Sequence, residues 1–262
     1  MSDTLLEAWR REEAAPFSGW DFAHITSRHR EESAPWSYEE IARDVLRGAA
    51  SALDLGTGGG EVLSRLGDAF PRLMVAAEGY HPNVTIAHRA LSPQGAHVVA
   101  CGVDPDAPTE RVQDRPTLLP FRDACVDVVL SRHEAYDADD VFRVLRSGGS
   151  FLTQQVGGRS YGDLLQTFGL SPQWPDITVE NLRHELVASG FVIDDSRSWR
   201  GSASFGDVGA IVYYLKAVPW MVPGFSVDRY ADTLQHLQVR LERDGELRFG
   251  IGRLLIRAHR PT

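Results

Sequence analysis

From about position 50 onward, apolar runs of strand length alternate with segments whose apolar residues recur at helical spacing. SALDLG (51–56) reads as a strand ending in glycine, and EVLSRLGDAF (61–70) as a helix. LMVAAEG (73–79) is a strand, and HPNVTIAHRAL (81–91) a helix whose Pro82 sits in the first turn, where a missing N–H costs little. GAHVVACG (95–102) is a strand, followed by a polar loop over 104–115. The pattern continues with a strand at 125–131, a helix at 137–149 closed by glycines, and a strand at 150–156. A helix at 178–190 and a strand at 191–199 complete it. Strands alternating with helices predict βαβ units and a parallel sheet covered on both faces.

Two regions fall outside this rhythm. Residues 1–49 carry the aromatic anchors Trp9, Phe17, Trp20, Phe22, Trp36 and Tyr38, and predict a helix over 37–46. Residues 205–244 predict two helices around a proline-bounded turn, and LRFGIGRLLIRAHR (247–260) a last strand. No repeat or low-complexity tract interrupts the chain. The expectation is a single domain, 1–262, with a helical cap (1–49), a ligand-binding core (50–200), a helical insertion (201–245) and a final strand (246–262).

Composition narrows the partners. Hydrophobic residues make up 43% of the 262, and charged residues 24%, enough for a substantial core. The formal charge is 27 − 36 = −9, which makes a nucleic-acid partner a poor expectation. Cys101 and Cys125 edge apolar runs and read as buried free thiols. The histidine and cysteine neighbourhoods lack ligand spacing, so no metal site is expected. The first residues contain acids and no signal-peptide core, and no run nears the roughly 20 apolar residues of a membrane span. A soluble, cytoplasmic protein is expected, of unassigned oligomeric state.

The chemistry concentrates at ALDLGTGGGE (52–61), where an aliphatic run ends in Asp54 and four glycines follow within five positions. Glycines there let a ligand approach the backbone beyond the carboxyl end of a strand. A dinucleotide calls for G-x-G-x-x-G, but Glu61 stands at the third glycine's place. Two carboxylates beside the loop are an unfavourable setting for pyrophosphate, and suit a ligand bearing an ammonium and a sulfonium. Glu78 ends the next strand, 24 residues after Asp54, where doubly wound nucleotide folds place a carboxylate on ribose hydroxyls.

With LDLGTGGGE (53–61), AAEG (76–79), LPFRDACVDVVLSRH (119–133) and FRVLRSGGSFL (142–152), the chain resembles the class I S-adenosylmethionine-dependent methyltransferases of the type-11 group. The motifs cover about residues 50–156; EGYHPNV, SRHEAYD, TQQVGG and DVGAIVYYLKAVPW are similar to an uncharacterised bacterial subgroup. The resemblance implies an α/β, Rossmann-like, doubly wound sheet of seven strands with the last antiparallel, the helical additions attached to it. S-adenosylmethionine is the implied cofactor. Asp54, Gly56, Thr57, Gly58 and Gly60 would face its methionyl part, and Glu78 with Gly79 its ribose. The adenine-side aspartate is implied within 104–114, where Asp104 ranks ahead of Asp106 and Asp114. Ser131 and Arg132 would border the cofactor's reacting end, with His133 as the catalytic candidate, either removing a proton or shaping the pocket. Glu134 and Tyr136 read more readily as part of a helix start, and one of Gln154 and Gln155 should face the acceptor.

The expected activity is methyl transfer to an oxygen, nitrogen or carbon nucleophile of a small molecule. An RNA methyltransferase and a non-catalytic cofactor-binding protein are the competing classes. The first would need a basic face beside the pocket.

Overall fold

A computed structural model describes residues 3–101 and 119–262. The polar stretch with Asp104, Asp106 and Asp114 lies outside them. Helix α1 (Asp3–Ala14), strand β1 (His29–Glu31) and helix α2 (Tyr38–Leu46) precede the alternating region. There follow β2 (Ser51–Leu55), β3 (Leu73–Glu78), α3 (His81–Leu91), β4 (Ala96–Ala100), β5 (Val126–Arg132), α4 (Ala138–Val144) and β6 (Leu145–Val156). The chain ends with α5 (Gly162–Thr167), α6 (Val179–Ala188), β7 (Val192–Phe205), α7 (Val208–Ala217), α8 (Ala231–Asp244) and β8 (Leu247–His259). Ser37, Asp137, Thr178 and Asp207 each accept the N–H three residues on, which fixes where α2, α4, α6 and α7 begin.

All strands join one sheet in the order β1-β7-β8-β6-β5-β2-β3-β4. β2 is buried at every position because helices cover both faces, and it pairs in parallel with β3 and β5. The chain moves outward one way from β2 through β3 and β4, then returns to β5 on β2's other side. That reversal opens a crevice beyond the carboxyl end of β2. β8 runs antiparallel between β6 and β7.

The implied sheet, seven strands with the last antiparallel, is therefore present, with one addition. The three-residue β1 pairs with the end of β7, His29 opposite Phe205 and Glu31 opposite Ala203. A three-residue polar strand has no periodicity to read. Residues 63–69 wind as a 3-10 segment rather than the expected α-helix, which turns both Leu63 and Leu66 into the core at a spacing of three. The helix read over 137–149 stops at Val144, and β6 starts at once, well before the glycines. Residues 201–205 extend β7 within the sheet. Helices α1 and α5 were not anticipated.

One apolar layer packs α2 and α3 on the sheet, and another packs α4 and α6 on its opposite face. A third gathers α1, α5, α7 and α8 around the far ends of β7 and β8, with Phe205 and Phe249 inside it. Among the described residues, no helix is long and apolar enough to cross a membrane.

Trp9 holds α1 in this third layer, with only 3% of its surface exposed. Trp9→Ala should lower unfolding stability by about 3–5 kcal/mol, read as a fall in the urea midpoint. An unchanged midpoint would show that the N-terminal helix contributes nothing to the fold.

Candidate functional site

The crevice is built from the loop that follows β2. Gly56, Gly58 and Gly60 have φ of 63°, 62° and 88°, a region in which side chains are strained. Thr57 is buried and its N–H donates to the Ala77 carbonyl at 3.1 Å. Beneath the loop, one carboxylate oxygen of Glu78 accepts the Gly58 N–H at 2.6 Å and the other accepts the Tyr80 N–H at 2.8 Å. Burial raises the Glu78 pKa, and the amides of Tyr80, Gly58 and Gly79 oppose the rise. With three amides on its two oxygens, the carboxylate keeps acceptor capacity for a further donor. Gly60 serves packing instead: a Cβ there would lie 2.9 Å from Leu91.

Asp54 is buried where β2 ends. Burial pushes its pKa up to about 7; the charge of Glu78 adds to the rise and Arg132 opposes it. Asp54, Gly56, Thr57 and Arg132 meet around a cavity of about 230 Å³. Trp20 and Tyr38 complete its wall from the N-terminal segment. The Trp20 N–H donates to Glu61 at 3.0 Å, so this segment rests directly on the glycine loop. Tyr38 is buried and its hydroxyl has no partner among the described residues. The Arg132 guanidinium lies 6.0 Å from the Tyr38 ring centre, and none of the described residues forms a hydrogen bond or ion pair with it. A carboxylate, an unpartnered hydroxyl and an unpaired guanidinium around one cavity match the amino-acid end of a zwitterionic ligand.

A second cavity of about 320 Å³ shares Tyr38 and Arg132 with the first. Its wall includes Glu31, Trp36, Glu39, Gln154 and Arg253. Glu31 pairs with Arg253, and Glu39 pairs with Arg65 at 2.7 Å. The Trp36 indole donates to the Gln154 side-chain oxygen at 2.9 Å, and the Gln154 amide nitrogen lies 3.4 Å from Nε2 of His133. An indole N–H can only donate, which orients the Gln154 amide NH₂ toward the imidazole. His133 Nε2 is therefore the accepting nitrogen of a neutral ring. Burial holds the His133 pKa well below the usual range, helped by Arg132 and Arg253.

The remaining sequence-expected residues sit apart. Ser131 is fully buried, and its hydroxyl donates to the Glu134 carbonyl at 3.2 Å. Gly79 lies beside the Glu78 carboxylate and borders neither cavity. Of the two glutamines, Gln154 faces the second cavity, and Gln155 donates to the Glu134 carbonyl at 2.9 Å. Trp20 and Tyr38 were legible as aromatic anchors, read as core first and as part of a cover over the cofactor second. Among the described residues, no cluster of histidine, cysteine, aspartate or glutamate could hold a metal ion.

The profile of the family described as Methyltransferase domain matches residues 53–153. A candidate methyltransferase of Bacillus halodurans superposes with a TM-score of 0.59 at 16% identity, covering 87% of this chain and 100% of that one. The YcgJ protein of Bacillus subtilis gives 0.55 at 14% identity, over 86% and 98% of the two chains. Phosphoethanolamine N-methyltransferase 2 of Haemonchus contortus, in complex with S-adenosyl-L-methionine, gives 0.50 at 14% identity, over 100% of this chain and 58% of that one. At these identities the likeness is one of fold. No curated protein is significantly similar to the chain in sequence.

The buried carboxyl of Asp54 has a stability consequence. Its folded pKa of about 7 stands above the 3.8 of a free aspartate, so its contribution is fully present in acid and is lost as pH rises to about 7. Asp54→Asn should therefore match the wild type near pH 4, gain over it as pH rises to about 7, and keep that margin above. Urea unfolding across this range checks the sign; a variant less stable at pH 8 than the wild type contradicts it.

Proposed function

Because the chain is a class I S-adenosylmethionine-dependent methyltransferase of the type-11 group, we propose that its acceptor is a small polar molecule with an oxygen, nitrogen or carbon nucleophile, seated in the second cavity. The observation that carries this reading is the shared wall: Tyr38 and Arg132 border both cavities, so an acceptor would sit beside the cofactor's amino-acid end. A location in the cytoplasm goes with it.

When bound, the cofactor supplies a methyl group already activated on a sulfonium. The protein's residues then have to bind, align and exclude water. Asp54 is the partner for the ammonium, and Tyr38 and Arg132 for the carboxylate. Glu78 has spare lone pairs for ribose hydroxyls while it braces Gly58. Trp20 and Trp36 cover the two cavities from the N-terminal side. The polar wall of the second cavity suits a polar guest of metabolite size. An RNA backbone would bring phosphates against Glu31, Glu32 and Glu39, which line this cavity.

His133 fits a positioning role better than a proton-removing one. A neutral ring with two arginines nearby and its Nε2 turned toward the Gln154 amide is a weak base. His133→Asn should retain activity within about tenfold, and the acid limb of the rate profile should not move. Release of demethylated cofactor against a panel of small acceptors supplies the assay. A loss beyond about 10²-fold together with a vanished acid limb would restore the base role.

The cofactor itself is tested by calorimetry. S-adenosylmethionine and its demethylated product should both bind, and NAD should not. Glu78→Ala should weaken that binding by about 1–3 kcal/mol, because both the loop and the ribose lose a charged acceptor. Binding of NAD alone would defeat the reading.

A further inference from the structure

We propose that Glu134 is the carboxylate that reads the charge on the cofactor's sulfur, favouring the sulfonium donor over the neutral demethylated product. This inference rests on S-adenosylmethionine being the cofactor.

The geometry begins at His133, whose φ of 61° turns the chain back on itself where β5 ends. The His133 N–H donates to the Gln154 carbonyl at 2.8 Å and locks that turn. Glu134 then lies across the bare face of Gly56: a Cβ on that glycine would fall 2.4 Å from the Glu134 Cγ and 2.5 Å from its Oε2. Its backbone is pinned, because the Glu134 carbonyl accepts from Ser131 Oγ and Gln155 Nε2. Its carboxylate, by contrast, has no hydrogen bond or ion pair among the described residues. The neighbouring acids differ in this respect. Glu61 is capped by the Trp20 N–H, and Glu78 by two loop amides.

Glu134 lines neither cavity itself, but Gly56, on which its carboxylate lies, borders the first, so a cation bound there would compensate its charge. The groups around it bear on that charge. Asp54 from β2 and Glu78 from β3 are acids, Gln155 from β6 is neutral, and Arg132 and His133 are on its own segment. Burial raises the Glu134 pKa to about 7, and the charges of Glu78 and Asp54 add to the rise. Near neutrality the group is thus close to half-protonated, and a neighbouring positive charge would ionise it. The cofactor and its product share ammonium, carboxylate and ribose, and differ in charge only at sulfur. A difference between the two ligands therefore isolates contact with the sulfur.

Calorimetry at about pH 6.5, in buffers of different ionisation enthalpy, tests this on the intact protein. For the wild type, S-adenosylmethionine should release more protons than S-adenosylhomocysteine. Glu134→Gln should remove that difference, lowering affinity for S-adenosylmethionine about tenfold while shifting the homocysteine form by less than about twofold. Equal proton release by the two ligands in the wild type, or an equal loss of both affinities in the variant, would overturn the proposal and leave the cofactor reading standing. No binding of either ligand to the wild type would overturn both. The wild-type buffer series needs no variant, so a misfolded substitution leaves the test intact.

Discussion

The carboxylate of Glu78 reaches from the end of β3 to the N–H of Gly58 at 2.6 Å, and the open form of the glycine loop depends on that bond. A loop with three left-handed glycines has many accessible conformations and no side chains to hold one of them. A charged acceptor on a buried amide supplies what the loop lacks, since such hydrogen bonds are roughly twice as strong as neutral ones. With Gly58 fixed, Gly56 leaves room for the Glu134 side chain across its bare face and Thr57 hangs on the Ala77 carbonyl. Gly60 is fixed by a different contact, against Leu91. The sheet positions the ends of β2 and β3, and Glu78 turns that placement into a site.

The N-terminal segment completes what the sheet leaves open. It joins the sheet as an edge strand, packs Trp9 into the layer around α7, and lays Trp20 and Tyr38 over the crevice. Aromatic contacts tie Trp20 to Phe17, Phe22 and Trp220, so the cover is continuous with the helical insertion rather than a free tail. The cap and the insertion thus form one body, built on the far ends of β7 and β8. Cap and insertion therefore meet from opposite ends of the chain.

Electrostatics gives the crevice its character. Burial raises the pKa values of Asp54, Glu78 and Glu134 and so favours their neutral forms, with Arg132 opposing the rise at Asp54. Across the shared wall, the Arg132 guanidinium forms no hydrogen bond or ion pair among the described residues, and the charges of Asp54 and Glu39 act on it from a distance. Burying such groups costs stability, and a guest with complementary charges would relieve it. In the second cavity Glu31 pairs with Arg253, Glu39 with Arg65 and Glu32 with Arg248. Acids and arginines line both cavities: Asp54, Glu61, Arg65 and Arg132 the first, and Glu31, Glu32, Glu39, Arg132 and Arg253 the second.

The sequence by itself determined what local pattern and steric need can determine. The apolar runs of β2, β3 and β5 are strong because those strands are mostly buried within the sheet, and the glycine cluster marks where a backbone must be approached. Asp54 and Glu78 were legible because a strand end fixes where its last side chain stands. Tertiary structure decided the rest, since those features depend on contacts between distant segments. β1 is three polar residues and exists only because the end of β7 offers it a partner. Residues 63–69 carry a helical pattern, yet wind tightly because Leu63 and Leu66 must both face the core. Glu134 reads as an ordinary residue near a helix start. Only a left-handed turn at His133, closed by a carbonyl 21 residues away, brings it over Gly56. Tyr38 and Arg132 lie 94 positions apart, and no periodicity links them. The fold makes them neighbours by stacking α2 against the end of β5.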